Sequence, residues 1–410
     1  MYIESICIKN FRCFRDVEID FSHRERQPSK TLPVPKLPNI NLLLGNNGSG
    51  KTTLLKAIAL TALGPAIADS GIYPYRLIRR EPEQGPSEND TAILRADYKA
   101  HSQDNAPVDI VESEIEITRR GDLERLRWAH KDDKPWHPIF SASSDAFFFV
   151  GYGATRRVEK QKQVDMASRR QSSFIRAQRI QSLFEEAYSL MPFSAWLPGL
   201  KKENPDRHEQ IIDLVNRLLG KGRYRFTGEL EDNEYVFERG GLRAPFPALS
   251  DGYRAYLGWI GDLLYHICTT CPPDRNLVDH HGIVMVDEID LHIHPKWQLT
   301  ILPVLAKALP KIQFVVTSHS PLVVGSLEWM NIILMTPEPK QASKLSRIHE
   351  GIHGLDADQI LLTDFFGMRT TRVPSKESQL NKLTKKARKG DVTAAKELLK
   401  ELSRGMDTTK

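Results

Sequence analysis

Gly45-Asn46-Asn47-Gly48-Ser49-Gly50-Lys51-Thr52 is the stretch whose reading decides the fold. It has the form G-x-x-x-x-G-K-[ST], a phosphate-binding loop. Its glycines let the backbone curl until successive N–H groups point at one anion. Lys51 has the reach for β- and γ-phosphates, and Thr52 can place its hydroxyl on Mg²⁺. The flanks agree. Ile40–Leu44 (INLLL) is the short apolar run expected of a buried parallel strand. Lys51 to Leu63 reads as a helix, with Leu54, Leu55, Ile58 and Leu63 near helical spacing. Strand, glycine loop and helix N-terminus together form a triphosphate site. Asn46, Asn47, Gly48, Ser49, Gly50, Lys51, Thr52 and Thr53 are its candidate binding residues.

The 410 residues suggest two or three domains. No apolar run approaches the roughly 20 residues of a membrane span. Met1–Ile8 alternates like a strand rather than showing the charged-then-apolar order of a signal peptide. A cytoplasmic chain with no membrane partner is expected. The four cysteines are too few and too scattered for a disulfide framework. Cys268 and Cys271 form a C-x-x-C, but a zinc site wants a second, separated ligand pair, and His280 and His281 are adjacent. Two thiols at a helix end, without metal, is the favoured reading. The net charge of +5 says little by itself. Its distribution says more: Arg156, Arg157, Lys160, Lys162, Arg169, Arg170, Arg176 and Arg179 face only Glu159 and Asp165 within that stretch. A DNA contact and a solvated helix face fit this cluster about equally.

Along the chain, Met1–Ile8 and Val17–Phe21 look like a strand pair, and the four prolines of 28–38 mark a loop. Ala92–Tyr98, Val108–Ile117 and Leu123–Trp128 suggest an antiparallel sheet, and Ala146–Val150 a buried strand. Residues 172–219 read as a helical insertion without sustained heptads. From 249 onward, helix Tyr253–Ile267, strand Ile283–Val286, helix Trp297–Leu309, strand Ile312–Val316 and strand Ile332–Met335 alternate. Such alternation implies a parallel sheet covered by helices. The tail from Asp356 is expected to be helical. Val392, Ala395, Leu398, Leu399 and Leu402 would form an apolar stripe, and Lys376, Lys382, Lys385, Lys386, Arg388 and Lys389 a basic surface.

Four further motifs carry chemistry. Ile283–Val286 ends in Asp287-Glu288, at the strand end where open α/β sheets bind ligands. Asp287 would hold Mg²⁺ through its water shell, and Glu288 would orient and deprotonate the attacking water. Leu249-Ser250-Asp251-Gly252-Tyr253-Arg254 opens a helix; Ser250 is either its N-cap or a γ-phosphate ligand. Thr317-Ser318-His319-Ser320-Pro321 follows the next strand and brings His319 within reach of the γ-phosphate. Leu291-His292-Ile293-His294-Pro295 holds an H-x-H without a third ligand, and a loop crossing a subunit interface suits it better than a metal.

Phosphate loop, L-S-x-G-x-R, apolar-D-E, L-H-x-H-P and T-S-H-S-P, in that order, resemble ABC-type ATPases of the RecF, SMC and OLD group. Asn10-Phe11-Arg12-Cys13-Phe14 is similar to that group's opening strand turn, where Arg12 would match an arginine near the nucleotide. The resemblance implies an α/β fold: an ABC-type ATPase head with an antiparallel β subdomain, a helical insertion and a helical tail. The expected division is 1–155 (N-terminal lobe), 156–245 (basic helical insertion), 246–340 (C-terminal lobe) and 341–410 (basic helical tail). It further implies ATP and Mg²⁺ as ligands, with Glu288, His319 and Lys51 catalytic, and Thr52 and Asp287 serving the metal. Ser250 and Gly252 would contact ATP held by a second subunit, so that a head-to-tail homodimer sandwiches two nucleotides. Short members of the group look like ATPase subunits of anti-phage systems such as Septu, which implies a separate effector, with an HNH-type nuclease as one candidate. The alternative is a RecF-like DNA-binding ATPase of repair. Nothing after Met335 resembles a Toprim metal cluster, so nuclease activity is not expected from this chain alone. Gln84 and Gly151–Arg156 are the candidates for the missing Q-loop role.

Overall fold

The computed structural model describes residues 1–410 apart from 30–31, 73–74, 81–90, 102–103, 105, 122, 130–146, 159–174, 221–223, 339–341 and 404–410. It divides into two compact units, Met1–Leu355 and Asp356–Lys410.

A six-stranded sheet organises the first unit. Its order is β16 (Lys344–Ser346), β15 (Ile332–Thr336), β3 (Ile40–Leu44), β14 (Ile312–Ser318), β13 (Gly282–Val286) and β7 (Phe149–Tyr152). All pairs are parallel except the β15–β16 edge. Every residue of β3, β13 and β14 is buried, which is why these strands read as continuous apolar runs. The register aligns Leu44 with Ser318 and Val286 with Val316. The residues that follow β3, β13 and β14 therefore emerge side by side at one sheet edge, where open parallel sheets bind ligands.

Against this sheet and helix α1 (Lys51–Leu63) lies an antiparallel sheet ordered β2 (Phe14–Asp20), β1 (Tyr2–Phe11), β4 (Thr91–Lys99), β5 (Ile110–Arg120), β6 (Leu123–Trp128). The expected strand pair and the expected three-stranded sheet are thus one surface. Ile6, Ile8, Leu94, Ile115 and Ile117 enter a core shared with Leu54, Leu55 and Ile58 of α1. Burying that many large aliphatic side chains is worth about 1.5–3 kcal/mol for each.

The stretch read as all helical is mixed. It contains α2 (Ile175–Gln178), α3 (Phe193–Glu203) and α4 (Pro205–Leu219), with Asn204 accepting from Arg207 N–H as N-cap of α4. A three-stranded antiparallel sheet then follows: β10 (Arg225–Glu231), β11 (Glu234–Arg239) and β12 (Leu242–Pro245). A two-strand ribbon pairs β8 (Arg157–Val158) with β9 (Ser189–Leu190). α5 (Asp251–Thr270) runs longer than its apolar periodicity indicated. The helix expected over Trp297–Leu309 is two pieces, α6 (Pro295–Gln298) and α7 (Ile301–Ala308), broken at Leu299-Thr300.

The second unit holds α9 (Ala357–Leu361), α10 (Pro374–Arg388) and α11 (Val392–Ser403); α8 (Pro321–Val324) belongs to the first. Lys376 pairs with Glu401, whereas Lys382, Lys385, Lys386, Arg388 and Lys389 are exposed. The expected apolar stripe is not a buried face: Val392, Leu399 and Leu402 are exposed, and Ala394 is buried instead.

Candidate functional site: a phosphate loop facing a carboxylate strand end

Gly48 and Gly50 of the loop sit at φ 79° and 100°, a region L side chains rarely adopt. A Cβ on Gly50 would lie 2.3 Å from Cys13 Sγ. The β1–β2 turn thus braces the loop. Arg12, in that turn, sends its side chain to Tyr75 O at 3.4 Å. The Lys51 ammonium folds back and donates to Gly45 O at 2.8 Å and Asn46 O at 3.2 Å. Burial pulls its pKa down, while the carboxylates of Asp287, Glu288 and Asp290 push it back up.

Across from the loop, buried Asp287 is gripped by two hydroxyls. Thr52 Oγ1 donates to Oδ2 at 2.6 Å, and Thr317 Oγ1 donates to Oδ1 at 2.6 Å. The same Thr317 oxygen accepts the Glu288 backbone N–H at 2.7 Å. Glu288 itself has φ 49°, a left-handed conformation costing a glutamate roughly 1–2 kcal/mol. Its carbonyl and that of Asp287 accept from Arg156, at 2.9 and 3.1 Å. Glu288, Asp290, Leu291, Asn46, Asn47 and His319 line an open cleft of about 510 Å³. His319 is half-buried; burial, then the Lys51 charge, holds its pKa below the usual imidazole value and favours the neutral ring. An adjacent hydroxyl and carboxylate suit a hard, oxygen-seeking cation such as Mg²⁺, which keeps several of its waters. Among the described residues no cluster of three His, Cys, Asp or Glu could hold a metal by itself. Thr52 and Asp287 would therefore share such an ion with phosphate oxygens.

Thr317 was legible only as one letter of a motif, and its double bridge needs the sheet register to be seen. Thr317→Val keeps the shape and removes both bonds. The expected result is a fall in turnover of about 10-fold, with a loss of about 1–3 kcal/mol in stability from stranding the Asp287 and Glu288 groups. Steady-state kinetics and thermal unfolding of the same sample check both.

Ser250 to Arg254 lie at the start of α5. Ser250 occupies the N-cap position but its side chain makes no capping bond, and it is exposed. A Cβ on Gly252 would come within 2.6 Å of His292 O, so the helix start packs on the Leu291–Pro295 loop. In that loop His294 Nδ1 caps α6 by accepting Lys296 N–H at 3.2 Å. Cys271 Sγ faces the carbonyls of Arg275 and Asn276.

The basic stretch is corrected in part. Arg156 points at the Asp287–Glu288 backbone. Arg179 is buried over the Phe148 ring, 5.6 Å from its centroid, and burial pushes Arg176 and Arg179 down to about 10. A guanidinium held inside the fold offers no surface to a phosphate chain. Lys160, Lys162, Arg169, Arg170 and Gln84 lie outside the described residues.

Septu protein PtuA of Bacillus mycoides is 26% identical over 90% of this chain and 45% of its own length. Retron Ec83 probable ATPase of Escherichia coli is 44% identical over 21% of this chain and 16% of its own. Retron Vc95 probable ATPase of Vibrio cholerae is 22% identical over 70% of this chain and 67% of its own. The chain therefore spans less than half the length of the first two. Among solved structures, the SMC head domain from Thermotoga maritima has a TM-score of 0.47 at 16% identity, over 85% of this chain and 99% of its own. An AAA ATPase domain model matches residues 1–74. The model described as "AAA domain, putative AbiEii toxin, Type IV TA system" matches residues 40–325, and the chain belongs to this family of AAA ATPases.

Proposed function

We propose that this chain hydrolyses ATP between the Gly45–Thr52 loop and Glu288, that two copies close head to tail on ATP, and that the closed state governs a separate effector in anti-phage defence. The observation that carries the catalytic part is the hydrogen-bonded run from Thr52 through Asp287 to Thr317 and on to the Glu288 N–H. It ties the phosphate loop to the strand end that bears the base. The loop N–H groups and Lys51 hold the phosphates. Mg²⁺ at Thr52 and Asp287 would neutralise charge on the β- and γ-oxygens. Glu288 orients water for in-line attack and takes its proton as the terminal P–O bond breaks, releasing ADP and phosphate. His319, which lines the cleft, would donate to a γ-phosphate oxygen.

The dimer rests on Ser250. A hydroxyl at a helix N-terminus that spends nothing on its own cap is free to meet an anion. Ser250→Ala should leave the unfolding midpoint unchanged while weakening ATP-dependent self-association and turnover about 10–100-fold, the worth of a hydrogen bond to a charged group. Light scattering with and without ATP measures this. A variant that dimerises like the wild type would remove Ser250 from the interface.

The defence role rests on relatives named for Septu and retron systems. An HNH-type nuclease is the effector class proposed. Co-purification with genomic neighbours, with and without ATP, tests it; recovery of the chain alone under both conditions would count against an effector. The RecF-like DNA-binding alternative draws no support from Arg156, which bonds the Asp287 and Glu288 carbonyls, or from buried Arg179.

A further inference from the structure

We propose that Arg156 is a positioning residue for hydrolysis, holding the Asp287–Glu288 backbone so that the Glu288 carboxylate stays aimed at the attacking water. This rests on the reading of Glu288 as the base. Arg156 is placed among three carboxylates, those of Asp287, Glu288 and Asp290, yet its guanidinium donates to two main-chain oxygens: Asp287 O at 3.1 Å and Glu288 O at 2.9 Å. Its donors are therefore used for geometry more than for neutralising charge. The geometry needs holding. Glu288 sits at φ 49°, where a β-carbon crowds the backbone, and such a conformation persists only when its surroundings over-determine it. On the N-terminal side the Glu288 N–H is tied to Thr317 Oγ1 at 2.7 Å. On the C-terminal side the Glu288 carbonyl accepts from Arg156 and from the turn N–H of Leu291 at 3.0 Å. The two peptide planes flanking the Glu288 Cα are thus fixed from opposite directions.

Arg156 is itself well anchored. It follows β7, whose Tyr152 pairs with Val286 one residue before Asp287. Two residues further on, Val158 sits on the bare backbone of α5, its Cγ2 2.4 Å from where a Cβ on Gly258 would lie. A planar fork fixed at both ends reaches two successive carbonyls at once; a lysine, a point donor on a flexible stem, does not match that geometry.

The test uses Arg156→Met, which keeps bulk, and Arg156→Lys, in the full-length protein. A fluorescent ATP analogue reports affinity, steady-state assay reports kcat, and thermal unfolding reports integrity. Misplacing a catalytic group by about 1 Å costs on the order of 100-fold. The expected result is kcat lowered about 30–100-fold in Arg156→Met, with nucleotide affinity held within about 2-fold and Arg156→Lys in between. Millimolar methylguanidinium should restore part of the Arg156→Met rate and none of the Glu288→Gln rate. Two results would overturn the proposal: kcat of Arg156→Met near wild type, or kcat, affinity and unfolding midpoint falling together with no rescue. If Glu288→Gln turns over normally, the reading of Glu288 fails first. If Glu288→Gln is inactive and Arg156→Met is not, only the role of Arg156 fails.

Discussion

Glu288→Gln should bind ATP, lower turnover by about 10²–10⁴-fold and accumulate as a nucleotide-bound dimer. The substitution is nearly isosteric, so the left-handed backbone and its bonds to Thr317 and Arg156 can persist. What is lost is a carboxylate able to accept the proton of water. Loading should be little affected, because residue 288 is tied to the loop through its backbone N–H and not through its carboxylate. The ATP-bound state therefore lives longer and the closed dimer builds up. A radiolabelled-ATP assay combined with size-exclusion light scattering measures both sides. Turnover near wild type would end the assignment of Glu288 as the base.

Lys51→Ala should lose nucleotide before it loses chemistry. The ammonium is buried and close to three carboxylates, and it already bonds Gly45 O and Asn46 O across the loop. Incoming phosphate replaces those carbonyls as partner. Truncating a buried, hydrogen-bonded charge of this kind costs about 2–5 kcal/mol, so ATP affinity should fall about 30-fold or more. The unliganded protein should lose only about 1 kcal/mol, since two carbonyls give up a donor but one buried charge disappears with it. Calorimetric titration with ATP distinguishes this from general unfolding. Affinity within about 3-fold of wild type would show that the backbone amides alone hold the phosphates.

The parts of this site that lie on one continuous stretch could be read from the sequence. Ile40 to Leu63 was legible because strand, loop and helix follow one another, and each has its own local pattern: apolar run, glycine spacing, helical period. Asp287-Glu288 and His319 were legible because buried parallel strands advertise themselves and ligands bind where they end. Thr317 and Arg156 were not assigned their roles. Their bonds depend on β13 lying between β14 and β7 in a given register, and no local pattern encodes that order. The β10–β12 sheet escaped for another reason. β12 exposes Leu242, Arg243 and Pro245, and β10 carries Gly228 at φ 74°, so neither shows the clean alternation of a half-buried strand. Arg156 and Arg179 counted toward a basic surface because charge counting along the chain cannot tell a guanidinium turned into the fold from one turned toward water.

β3 comes from residues 40–44, yet in the sheet it is held between β14 and β15, drawn from residues 312–336. On the ribosome, the phosphate-loop strand is made early and must wait for nearly the whole first unit before either neighbour exists. Pairings this far apart in sequence pay their loop-closure entropy late and fold slowly. During that wait Ile40–Leu44 is an apolar strand with two open edges, a segment prone to mispairing with other nascent chains. The nucleotide cannot template this step, because the site it would bind is completed by the same closure. Production of the protein should therefore depend on chaperone capacity and growth temperature more than its finished packing would suggest.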